Sequence, residues 1–232
     1  MHSWTTYSIP GFSDPVSSLT HLLGAGVFGV LTVFLLRRGW GHRGRVIALG
    51  TFALSCLFLL SMSGVYHLLS PGTAGRQVLQ RLDHAAIFVL IAGTFTPPLG
   101  LLFAGLARWS QLLLIWSAAI AGISLKTIFF SSVPEWLGVT LFVSLGWIGL
   151  VPGLVIWRQY GSTFVRPLVR GAGAYTIGAL LEILRWPVLL PGVIGPHELF
   201  HMLVLTGLGF HWHFISQFAD GRPSGAPLAS GL

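Results

Sequence analysis

The residues in this chain best suited to chemistry are histidines and carboxylates embedded in long apolar stretches. The string Pro196-His197-Glu198-Leu199-Phe200-His201 carries two histidines four apart. On a helix that spacing puts both imidazoles on one face. Neutral imidazole is a common zinc ligand, so the pair suits two ligands of one metal ion. It equally suits two histidines that hydrogen-bond separately in a polar cavity. Ser63-Gly-Val-Tyr66-His67 repeats the spacing with a serine in first place, and Asp83 follows shortly after. Three histidines and a water make a catalytic-type tetrahedral zinc site. Asp83 would then hold or deprotonate that water, and Ser63 would hydrogen-bond it. Each has a plainer reading. Asp83 at a helix start would cap free N–H groups, and Ser63 would bond its own helix backbone. As a fourth protein ligand, Asp83 would close the site into a structural staple.

His197-Glu198-Leu199-Phe200-His201 also matches H-E-x-x-H, the zincin motif. A protease of that kind needs an acidic third ligand. Asp220 resembles one, but it lies about 28 Å beyond His201 if the helix continues. Glu198 is turned about 100° from His197 around the helix and faces elsewhere. His211 returns to the face of His197 but about 21 Å deeper, so it joins no common ion. His84 faces away from Asp83 and reads as structural, whereas His21, beside Thr20, has no assigned role. Glu182 and Arg185 are three apart and can pair.

The elements that must position these groups are membrane helices. Of 232 residues, 53% are hydrophobic and 8% charged, and the mean hydropathy is +0.79. A soluble domain carries about 25% charged residues, so the bilayer is the expected solvent. The lone Cys56 excludes a disulfide scaffold. The net charge of +7 comes from twelve arginines and Lys126, most of them set between apolar blocks. They read as membrane flanks, not as a nucleic-acid surface. The first fifteen residues lack a basic stretch leading into an apolar core, so no cleavable signal peptide is expected.

Apolar blocks lie at 17–37, 46–69, 82–105, 109–130, 135–157, 168–190 and 196–218. The expected fold is therefore all-α, a seven-transmembrane helix bundle spanning 17–218. It has a short N-terminal segment (1–16) and a tail (219–232) expected to be mobile. Pro97 and Pro98 should kink or stop the third helix. Lys126 should snorkel outward, and the glycines of Gly24-Ala-Gly26 and Gly171-Ala-Gly173 should let helices approach closely. Alternating crossings bring His67, Asp83 and His197 to one membrane face. The arginines gather on the other face, which predicts an external N-terminus and a cytoplasmic C-terminus.

These residues resemble the hemolysin III family, within the progestin and adipoQ receptor superfamily. The marks are Leu19-Thr20-His21-Leu-Leu-Gly24, Ser63 to His67, Leu82-Asp83-His84 through Gly93-Thr-Phe-Thr-Pro97, Trp136-Leu-Gly-Val-Thr140 with Gly146-Trp147, and His197 to His201. The resemblance covers most of the chain. It implies Zn2+ held by His67, His197 and His201, with Asp83 and Ser63 at the zinc-bound water. It also implies hydrolysis of lipid amides such as ceramides by a multi-pass protein of the bacterial cell (inner) membrane, with membrane lipids as its surroundings. Two rival expectations are a non-enzymatic membrane sensor with structural zinc and a lytic, pore-forming hemolysin. The chain lacks the long N-terminal domain of the adiponectin receptors, so adiponectin binding is not implied.

Overall fold

The structure, a computed structural model, describes residues 6–223. Eight helical segments follow in order: α1 (Pro15–Gly39), α2 (Arg43–Leu68), α3 (Ala74–Leu102), α4 (Gly105–Ile128), α5 (Glu135–Trp147), α6 (Leu150–Tyr160), α7 (Ser162–Leu184) and α8 (Pro196–Ser216). Only Ile148 and Gly149 separate α5 from α6, and the stretch Glu135–Tyr160 makes one crossing. The described chain is thus a seven-span helical membrane protein. α1 to α4 and the α5–α6 crossing are long and apolar enough to span a bilayer by length and composition alone. α7 and α8 fall outside that set, since α7 carries Arg166, Arg170 and Glu182, and α8 carries His197, Glu198, His201, His211 and His213. Glu182, Glu198, His201 and His211 among these are buried, where protein can satisfy them, whereas Arg166, Arg170 and His213 are exposed.

Outward-facing apolar side chains mark the lipid surface: Leu23, Val27, Val30 and Phe34 on α1, and Leu113 and Ile120 on α4, are all exposed. In lipid, apolar burial alone does not drive helices together, so close packing must do it. α2 packs between α1 and α3, α4 lies on α3, and α7 pairs with α8, which also touches α1 and α3. Phe52, Leu60, Leu208 and Ile215 fill the centre. A Cβ at Gly171 would fall 2.2 Å from the His211 ring, so only glycine lets α7 and α8 meet there. A Cβ at Gly24 would meet the tip of Leu205 at 2.6 Å, whereas Gly26 and Gly173 face open space.

Several local expectations are revised. α3 starts eight residues before its apolar block, because the Thr73 hydroxyl accepts the Arg76 N–H at 3.3 Å and caps it. Asp83 therefore lies well inside α3, and the capping role falls to Thr73. α3 also runs through Pro97 and Pro98 to Leu102. Both prolines are buried, and a proline in a membrane helix is tolerated where neighbouring helices pack around it. Lys126 does not snorkel; it is 2% exposed. Of the tail, Ala219 is fully buried and Asp220 pairs with Arg38 at 3.4 Å, so the chain is packed through this point. Residues 224–232 lie outside the described residues.

Candidate metal centre

The site is assembled where α2 ends and α8 begins. His67 sits in the last turn of α2, and His197 and His201 occupy the first two turns of α8. Pro196 at the start of α8 is preorganised for a helix and gives up no needed N–H. Glu198 binds back to the Gly195 N–H at 2.9 Å and accepts the Ser17 hydroxyl at 3.1 Å. It is thereby spent on capping α8 and tying it to α1, away from the imidazoles. This removes the H-E-x-x-H protease arrangement.

The Nε2 atoms of His67 and His197 are 3.2 Å apart, and those of His197 and His201 are 3.1 Å apart. All three ligand atoms lie within 4.8 Å of one another. Tetrahedral bonds of about 2.0–2.1 Å to zinc place ligand nitrogens about 3.3–3.4 Å apart, so the spacing suits one ion. His67 and His201 are buried and His197 is partly so.

The His67 tautomer suits the same reading. The Nδ1–H of His67 donates to Asp14 Oδ2 at 3.0 Å. His197 Nδ1 lies 3.4 Å from Glu182 Oε2. The Asp14 hydrogen bond keeps the His67 proton on Nδ1 and leaves its lone pair on Nε2, whereas Glu182 stands near His197 without a hydrogen bond to it. The His67 lone pair faces His197 Nε2 at 3.2 Å, open to a metal ion or to an N–H from that ring. The donor set therefore fits a metal ion.

Asp14 is itself fixed from three sides. It accepts Arg76 Nη2 at 2.6 Å and the Thr6 hydroxyl at 2.7 Å, besides His67. Burial pushes its carboxyl up, but the His67, Thr6 and Arg76 hydrogen bonds overcome this and hold it well below the ordinary carboxylate range. Arg76 also lies 4.7 Å over the Tyr66 ring. Glu182 pairs with Arg185 at 3.3 Å, as the three-residue spacing predicts, and Arg185 reaches on to Glu135. His21, unassigned from sequence, stacks on His201 with ring centroids 4.0 Å apart.

Asp83 and Ser63 are buried and line the cavity that opens beside the imidazoles. The close three-nitrogen group does not include Asp83, which sets its carboxylate back from the ion position. The cavity has a volume of about 950 Å³ and apolar walls from α3, α5, α6, α7 and α8. It runs from His197 to His211 and Phe214, most of the length of α8. Val169, Ile177 and Trp147 stand at its lip and are exposed on the lipid side, so it opens laterally beside α7. His211 donates Nδ1–H to its own helix at Gly207 O, 2.8 Å away, and takes no part in the centre.

Sequence reasoning placed the three histidines, Asp83 and Ser63 together, and the structure brings them to one end of the bundle. It missed Asp14 and treated Glu182 only as a partner of Arg185. The depth argument that placed Asp83 applies to both: α1 begins, and α7 ends, at the same membrane face.

The family profile described as haemolysin-III related matches residues 12–212, nearly the whole chain. The chain belongs to the haemolysin-III-related family. It is 26% identical over 193 residues to a hemolysin-3 homolog of Bacillus subtilis (strain 168), covering 82% of this chain and 87% of that protein. It is 27% identical over 193 residues to hemolysin-3 of Bacillus cereus, covering 82% and 84%. The adiponectin receptor protein of Drosophila melanogaster is 29% identical over 225 residues, covering 88% of this chain and 50% of the receptor. In this chain the three-histidine group could hold a metal ion.

Proposed function

We propose that this haemolysin-III-related protein is a zinc-dependent hydrolase of lipid amides. The observation that carries the reading is the convergence of three imidazole nitrogens beside a long lateral cavity, with Asp83 set back from them. His67, His197 and His201 hold the metal. Asp14 holds His67 in the tautomer that binds it, and the Glu182 carboxylate lies 3.4 Å from His197 Nδ1. A bound zinc ion supplies Lewis acidity toward the amide carbonyl and acidifies water beside it. Asp83 accepts the proton of the attacking water and returns it to the leaving amine. Ser63, in the same cavity lining, hydrogen-bonds the attacking water. The lateral opening admits an acyl chain from the bilayer, and the apolar walls shield it from water. A fully closed structural site would place a fourth protein ligand among the nitrogens, and the set-back of Asp83 favours catalysis over that arrangement. The haemolysin-3 relatives from two Bacillus species support a location in a bacterial cell membrane.

The test is release of fatty acid from a panel of N-acyl amides by the purified, zinc-loaded protein. Asp83→Asn should keep zinc and lose about 10²- to 10⁴-fold in turnover. Unchanged turnover would remove Asp83 from the reaction, and zinc without turnover of any amide would leave the metal structural.

A further inference from the structure

Lys126 is the one lysine of the chain, and nothing in the proposed reaction uses it. It lies in the last turn of α4, 2% exposed, and lines the same cavity as Asp83 and His197. Its Nζ is 5.3 Å from the centre of the Phe130 ring. A Cβ at Gly138 would stand 3.0 Å from that Nζ, so α5 offers the ammonium a bare backbone cradle. Among the described residues no carboxylate lies within 4 Å of it. Glu135 is engaged by Arg185, and Glu182 by Arg185 and His197. A buried ammonium without an anion is costly, and one that lines a cavity can take its anion from a ligand there.

We propose that Lys126 anchors the carboxylate of an acyl-chain amphiphile whose tail fills the cavity, and that the preferred amide substrate is an N-acyl amino acid. This rests on the reading of the cavity as an acyl-chain site. A small inorganic anion would leave the apolar walls at Ile87, Ile91, Phe142 and Val204 unused. A neutral lipid amide would leave the ammonium unpaired. An N-acyl amino acid satisfies both, with its amide near the histidines and its acid on Lys126. The same carboxylate chemistry is presented by the fatty acid that hydrolysis releases, so the two sources need separate arms.

The experiment measures binding to the purified full chain carrying Asp83→Asn, so that turnover does not consume the ligand. The probes are N-lauroylglycine, its neutral counterpart N-lauroylethanolamine, and dodecanoate. N-lauroylglycine should bind at least about tenfold more tightly than the neutral amide, as a charge-assisted contact implies. Lys126→Met should abolish that difference and leave N-lauroylethanolamine unchanged, which also shows that the variant is folded. Lys126→Arg should retain most of it. Loss of dodecanoate binding alongside N-lauroylglycine supports the carboxylate anchor. Loss confined to dodecanoate overturns the substrate assignment. Equal affinity for the acidic and neutral amides, or no effect of Lys126→Met, overturns the anchor. If no probe binds, the acyl-chain reading of the cavity fails as well.

Discussion

Asp14→Ala should weaken zinc binding although Asp14 never touches the ion. Its Oδ2 accepts His67 Nδ1–H at 3.0 Å and Arg76 Nη2 at 2.6 Å. Removing it frees the His67 ring to turn and to move its proton to Nε2, the atom that must carry the lone pair. It also leaves the Arg76 guanidinium, 15% exposed, without its carboxylate. Loss of such an outer partner costs about 10- to 100-fold in metal affinity, or about 1.4–2.7 kcal/mol. Asp14→Asn keeps an oxygen for His67 but loses the charge, so it belongs at the lower end, about tenfold. The assay is chelator competition on purified protein, reading the zinc dissociation constant of each variant. Asp220→Asn is the control, because the exposed Asp220–Arg38 pair lies at the other end of the bundle. An Asp14→Ala dissociation constant equal to that of the unaltered protein would refute the claim that this carboxylate orients His67.

Three further outcomes follow from the geometry. Gly93→Ala would put a Cβ 2.1 Å from Ser55 Oγ, and forcing α2 from α3 should cost about 1–3 kcal/mol. A lowered melting midpoint in detergent checks this, with Gly26→Ala, which meets nothing, as the comparison. His211→Ala should retain full zinc, since that ring bonds Gly207 O of its own helix; measured zinc loss would bring His211 into the centre. A reporter fused after Leu232 should read cytoplasmic, because Arg37, Arg38, Arg43 and Arg45 flank the α1–α2 turn on the same side; an external signal would reverse the orientation.

The histidine pair of α8 was legible because a spacing of four encodes a shared helical face in the sequence itself. The match of depth between the ends of α2 and α8 followed from counting crossings. Asp14 and Glu182 were not legible as partners, because their targets lie 53 and 15 positions away and only the packed bundle makes the pairings. The start of α3 was misplaced for a related reason: its first turns, Ala74 to Arg81, are polar and capped by Thr73, so hydropathy does not register them. Pro97 and Pro98 read locally as a helix end, whereas both are buried among neighbouring helices and α3 continues through them to Leu102. Lys126 sits near a helix end, where snorkelling is the default, but α5 folds over it and encloses it.

The central claim is that His67, from one end of the sequence, and His197 and His201, from the other, grip one ion. Elemental analysis of purified protein should find about one zinc per chain in the unaltered protein and essentially none in His67→Ala or His201→Ala. Full zinc in both variants would contradict it.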